Sequence, residues 1–133
     1  MTFGKSKRKQ VEIKMDLIVQ KYGGTSVGSG ERMLQVADII RSFLDNHRLI
    51  IVLSAMSSYT KSLGTTSRLL EAASEVLKPE SQRYLDIIDS IQSSHMQAIK
   101  ESVSDELTRN LCEKDVLNEC QRLRSFCSVF FQE

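Results

Sequence analysis

The chain has 133 residues, with 18 Lys and Arg against 17 Asp and Glu, 41% hydrophobic and 26% charged residues, and a net charge of +1. That length suits one modest domain and is too short for two, and the composition is that of a soluble globular protein. The charge balance carries no signature of a nucleic-acid partner, and no apolar run approaches the roughly 18 residues of a membrane span.

Charge is uneven along the chain. Lys5, Lys7, Arg8, Lys9 and Lys14 stand against the single acid Glu12. A short basic cluster can serve as a nuclear signal or a nucleic-acid patch. The polarity of the stretch favours a solvated, disordered basic leader over residues 1–15. MTFGKSKRKQ has no apolar core after its basic residues, so it does not read as a secretory signal, and the cytosol is the default location.

Leu17-Ile18-Val19-Gln20-Lys21-Tyr22 reads as a short buried strand ending at two glycines. Gly23, Gly24, Gly28 and Gly30, with Thr25 and Ser26 among them, make a loop. Met33, Val36, Ala37, Ile40, Phe43 and Leu44 recur at three and four, predicting an amphipathic helix over about Glu31–Leu44 with Ser29 as its N-cap. Asp45-Asn46 ends it. Leu49-Ile50-Ile51-Val52-Leu53 is an unbroken apolar run, the pattern of a parallel strand covered on both faces. Strand, glycine loop, helix and strand together form a βαβ unit with an expected right-handed crossover.

A small polar loop, Ser54 to Lys61, follows. Leu69, Leu70, Ala73, Val76 and Leu77 mark a helix that stops before Pro79. Everything from Glu80 onward reads as helix. Tyr84, Ile87, Ile88 and Ile91 form one stripe, with Ile99 as its continuation. Leu111, Leu117, Leu123 and Phe126 predict another helix.

Cys112, Cys120 and Cys127 fall on one helical stripe. An odd number without an export signal argues against a disulfide framework, and buried structural thiols are expected. His95 lies on the stripe of Tyr84 and Ile91 without a partner at catalytic spacing, and is expected to be a packed or partly exposed helix residue.

The chemistry concentrates in Lys21-Tyr22-Gly23-Gly24-Thr25-Ser26-Val27-Gly28. Ligands of open α/β sheets bind at the carboxyl ends of parallel strands. Paired glycines let the backbone approach a polyphosphate closely, and the N–H groups of the loop and of the next helix's first turn can point at the anion. Thr25 and Ser26 add hydroxyl donors, and Lys21 an ammonium. A P-loop is excluded because no glycine here precedes a lysine at the required spacing. A dinucleotide loop is excluded because Met33 stands where the third glycine belongs after Gly28-Ser29-Gly30. A tight strand-to-helix turn without a ligand remains the plain alternative.

The whole octapeptide resembles the signature of aspartate kinases, a branch of the amino acid kinase family. A second match, Val52-Leu53-Ser54-Ala55-Met56 with Thr60-Lys61, follows in the right order. The continuation through Ser57-Ser58-Tyr59 and Gly64-Thr65-Thr66-Ser67-Arg68-Leu69-Leu70 looks most like the fungal form. The resemblance covers roughly residues 17–110 and weakens from about 112. It implies an α/β/α sandwich of the carbamate-kinase-like type, of which residues 16–133 form the amino-terminal part. The family's Gly-Glu motif, later aspartate, adenine segment and ACT domains have no counterpart here, and Phe130-Phe131-Gln132-Glu133 does not match the Gly-Glu motif.

By that resemblance Lys21 contacts the ATP phosphates and stabilises the phosphoryl group in flight. Gly23 and Gly24 cradle the phosphates, with Tyr22, Thr25 and Ser26 in the same ATP-binding segment and the Tyr22 side chain packing. Ser54 and Thr60 hold the substrate aspartate; the plain alternative for Thr60 is a helix cap. The implied reaction moves the γ-phosphoryl group of Mg-ATP to the side-chain carboxylate of L-aspartate, at the head of lysine, threonine and methionine biosynthesis. Magnesium is held through the nucleotide, and the full enzyme is expected to be a cytoplasmic homo-oligomer. Two other readings are a non-catalytic interaction module that keeps the phosphate loop, and an amino acid kinase with a different acceptor. Two strands cannot bury both faces of their sheet, so exposed apolar surface and marginal stability are expected.

Overall fold

A computed structural model describes residues 15–129. All of the expected basic leader except Met15, and residues 130–133, lie outside the described residues. The elements are β1 (Asp16–Tyr22), α1 (Gly30–Leu44), β2 (His47–Leu53), α2 (Thr65–Val76), α3 (Arg83–Ser102) and α4 (Glu106–Val129), with a 3-10 turn at Lys61–Leu63. Among the described residues the fold is α/β, with two parallel strands and four α-helices.

β1 and β2 pair in parallel, with Ile18 opposite Leu49 and Tyr22 opposite Leu53. Parallel neighbours need a crossover, and α1 supplies it. Ser29 is extended and its Oγ accepts the Arg32 N–H at 3.4 Å, starting the helix where the sequence predicts. Asp45-Asn46 then returns the chain directly into β2.

The strands alternate except at one end of each. Ile18, Gln20, Tyr22, Leu49 and Ile51 are half-buried, whereas Leu17, Val19, Lys21, Ile50 and Val52 are exposed. α1 packs on β2 and α3. The opposite face of the sheet is open, with Val19 62% and Ile50 48% exposed. The unbroken apolar run in β2 is therefore that of a two-faced strand with one face uncovered among the described residues.

The core lies in the helices. Ala72 and Val76 of α2, Tyr84, Ile87, Ile88 and Ile91 of α3, and Cys120 and Cys127 of α4 form one buried cluster. The α3 stripe is the predicted one, and Ile99 is half-buried beyond it. α4 forms as expected but turns a different face inward. Leu111, Leu117 and Phe126 are exposed, while Cys120 and Cys127 are buried beside Val116 and Leu123. The reason is spacing: 116, 120, 123 and 127 repeat at four and three, which is one helical face, and 111, 117 and 123 do not. Burial raises both Cys120 and Cys127 thiols above their usual range, as inert packed cysteines require. His95 is half-buried with Nδ1 2.8 Å from the Ile91 carbonyl.

The α2–α3 turn is fixed by a buried carboxylate. Glu75 accepts from Lys78 Nζ at 2.6 Å and Ser81 Oγ at 2.8 Å. Ser81 N–H donates to the Lys78 carbonyl at 3.2 Å across Pro79-Glu80, and Glu80 takes φ 64°. Proline then a positive φ is the geometry of a type II turn, usually given to glycine. Arg124 joins α4 to α3 through Asp89 and, at 3.0 Å, Gln92. No helix among the described residues is long and apolar enough to cross a membrane.

Candidate active site

Two loops leave the carboxyl ends of the paired strands side by side. The first runs from Gly23 to Ser29 and the second from Ser54 to Thr60. Ser54 N–H donates to the Tyr22 carbonyl at 3.1 Å, continuing the ladder past the last strand pair. Ser57 N–H donates to the Gly24 carbonyl at 3.1 Å. Within the first loop, Ser26 N–H donates to the Gly23 carbonyl at 2.9 Å.

The loops touch so closely that side chains are excluded. A Cβ on Gly24 would lie 2.7 Å from Ser57 Cβ and 2.8 Å from the Ala55 carbonyl. On Gly28 it would lie 2.1 Å from the Ser57 carbonyl oxygen. None of the described glycines has a positive φ, so these two serve by being small, not by bending freely. Gly23 differs, because a Cβ there would meet nothing within 4 Å. Its bare backbone faces open space, where a ligand can approach.

Lys21 is exposed at the end of β1, opposite Val52. Among the described residues no carboxylate forms an ion pair with it. Tyr22 is half-buried and its hydroxyl donates to Gln20 Oε1 at 3.0 Å, leaving its backbone at the loop. The Thr25 carbonyl accepts from Arg32, and the Ser26 side chain is exposed. Ser54 is exposed, with its Oγ 3.5 Å from where a Gly24 Cβ would stand. Thr60 is exposed at the start of the 3-10 turn, and its hydroxyl makes no cap bond. Its carbonyl accepts the Leu63 N–H at 2.9 Å instead. Thr60 thus occupies the N-cap position of the 3-10 turn without a capping bond from its side chain.

Gly23 and Gly24 of the first loop and Ser54 of the second thus stand at the carboxyl end of the strand pair, with Lys21 next to last in β1 and Thr60 at the far end of the second loop. A separate cleft of about 310 Å³ runs beside them, between Gly28, Ser58 and α3. None of Lys21, Gly23, Ser54 and Thr60 lines it. Arg68 in that cleft spends its guanidinium on the Leu63 and Ser90 carbonyls and Ser94 Oγ. Among the described residues no group of three or more His, Cys, Asp or Glu could hold a metal ion.

Two features escaped the sequence. Ser57 is the point on which Gly24, Gly28 and Gly64 all close, the last with a Cβ position 3.0 Å from Ser57 Oγ. Arg32 donates from Nη1 to the Thr25 carbonyl at 2.8 Å and stacks over Tyr59 with Cζ 3.9 Å from the ring centre. A cation in the first turn opposes the helix dipole, and that misplacement was the available signal.

The chain belongs to the amino acid kinase family, whose profile matches residues 16–125, further into α4 than the motifs alone reach. Its curated relatives include aspartokinases from fungi and bacteria. It is 38% identical to that of Schizosaccharomyces pombe over 88 residues, 66% of this chain and 17% of the relative. It is 37% identical to that of Candida albicans over 107 residues, 80% of this chain and 19% of the relative. An aspartate kinase of Pseudomonas fluorescens is 48% identical over 79 residues, 57% of this chain and 18% of the relative. The chain spans less than a fifth of the length of each of these relatives.

Proposed function

We propose that these residues form the amino-terminal part of an aspartate kinase catalytic domain and supply its phosphate grip and one side of its aspartate pocket. The reaction is transfer of the γ-phosphoryl group of ATP to the side-chain carboxylate of L-aspartate. A carboxylate oxygen bonds to the γ-phosphorus as the bond to the β–γ bridging oxygen breaks, giving 4-phospho-L-aspartate and ADP. This opens lysine, threonine and methionine synthesis. The complete enzyme is taken to be a cytoplasmic homo-oligomer.

One observation carries the reading. The two loops bearing the phosphate-binding and aspartate-binding candidates are bonded to each other through Ser57 and Gly24 at the carboxyl end of a parallel pair. Phosphoryl transfer asks the protein for alignment and charge neutralisation rather than for a nucleophile. Lys21, with no ion pair among the described residues, offers its ammonium to the phosphate oxygens. The bare backbone of Gly23 lets the phosphates come close. The uncommitted hydroxyl of Thr60 and that of Ser54 can donate to and accept from aspartate without adding charge. Magnesium, held through the phosphate oxygens, supplies further charge neutralisation when bound.

The test is an assay of the complete enzyme carrying these residues, with the acyl phosphate trapped by hydroxylamine. Aspartate-dependent hydroxamate should form, and Ser54→Ala and Thr60→Ala should raise the KM for aspartate more than that for ATP. An enzyme that makes ADP equally well without aspartate would overturn the reading.

A further inference from the structure

We propose that Arg32 is a positioning residue that clasps the phosphate loop to the aspartate loop and so holds the reacting ends of the two substrates in line. The proposal rests on the reading of the site given above.

Arg32 stands in the first turn of α1, whose start is fixed by the Ser29 cap. From that anchored place it touches both loops. Its Nη1 donates to the carbonyl of Thr25 in the phosphate loop at 2.8 Å. Its guanidinium carbon lies 3.9 Å over the ring of Tyr59, the residue before Thr60. Tyr59 is 74% exposed, so its ring is not held by burial, and the Arg32 guanidinium lies over it. A planar guanidinium can donate in its plane while stacking through its face, which an ammonium cannot do equally well. Among the described residues no carboxylate forms an ion pair with Arg32, so its charge is not committed to one.

The Ser57–Gly24 bond joins the loops directly, and Arg32 bridges them a second time through the neighbouring Thr25 and Tyr59. Small errors in the alignment of reacting groups cost rate more than they cost binding. The clasp therefore acts on kcat and not on nucleotide affinity.

The experiment measures kcat, both KM values and ATP affinity for the complete enzyme carrying Arg32→Met, Tyr59→Leu, the pair together, Arg32→Lys and Tyr59→Phe. Active enzyme is counted from the calorimetric binding stoichiometry of ATP. Arg32→Met and Tyr59→Leu should each lower kcat about tenfold while ATP affinity stays within about twofold. The double substitution should be no worse than the poorer single one, as for two halves of one contact. Tyr59→Phe keeps the ring and should restore most of the rate, and Arg32→Lys should restore part of it. Wild-type kcat in either Arg32→Met or Tyr59→Leu, or losses that multiply in the double variant, would overturn the clasp. Should Arg32→Met fail to fold, the exposed Tyr59 decides alone: loss in Tyr59→Leu with recovery in Tyr59→Phe supports it, and no loss overturns it. Turnover that survives Lys21→Ala would instead overturn the phosphate-loop reading while leaving the clasp result standing.

Discussion

Ser57 donates its backbone N–H to the carbonyl of Gly24 at 3.1 Å, and its own carbonyl oxygen sits where any side chain on Gly28 would have to go. The two loops are thus joined by a bond that only bare backbone permits.

That closeness separates the glycines by role. Gly28→Ala should unfold the loop junction and lower the melting temperature of the chain, because its Cβ would press on a carbonyl at 2.1 Å. Gly23→Ala should leave the melting temperature unchanged, since nothing lies within 4 Å, yet raise the KM for ATP in the complete enzyme. Equal melting losses for both would contradict the assignment.

The helical core should be sensitive at its centre. Among the described residues Ile88 is the largest fully enclosed side chain, with 0% exposure. Ile88→Ala should cost about 2–5 kcal/mol by transfer and cavity terms, read from urea unfolding. A loss within the range of surface substitutions, about 0.5 kcal/mol, would show that α2, α3 and α4 do not pack as described.

Acid should weaken the α2–α3 turn. Hydrogen bonds from Lys78 and then Ser81 hold the Glu75 carboxyl below its usual value of 4.5. A carboxylate with a lowered folded pKa contributes stability above its unfolded pKa and loses it as pH falls through the folded value. Wild-type stability should therefore drop as the pH falls below the usual value of 4.5 more steeply than that of Glu75→Gln. Asp105, lowered by the Thr108 hydroxyl and N–H at the start of α4, adds to the same slope. Parallel pH curves for wild type and Glu75→Gln would contradict this.

The open sheet face should be detectable. Val19 and Ile50 lie opposite each other on it and are both exposed. The chain should bind a hydrophobic dye, and replacing both residues by Thr should reduce that binding without lowering the melting temperature. Absence of dye binding by the wild-type chain would show the face to be covered.

Much of this architecture was readable from residue order. The run Leu17–Tyr22, the glycine cluster, the α1 periodicity and the Ser29 cap are local signals, and each led to the observed element. The stripe Tyr84–Ile91 was equally plain because its spacing matches one helical face. α4 is less legible: its inward face is set by Cys120, Cys127 and Val116 beside Leu123, small residues whose burial depends on what α2 and α3 present. The site divides in the same way. Lys21, Gly23, Gly24, Ser54 and Thr60 stand in two continuous motifs. The bond from Ser57 to Gly24 and the stacking of Arg32 on Tyr59 join separate stretches, and the sequence marks them only by a cation out of place in the first turn of α1.

The most direct test concerns the ammonium at the end of β1. Steady-state turnover of the complete enzyme should fall by about two to three orders of magnitude in Lys21→Ala, the scale of a lost transition-state charge partner, with the melting temperature unchanged because Lys21 is exposed. Turnover equal to wild type in that variant would contradict the claim that this loop grips the phosphates in transfer.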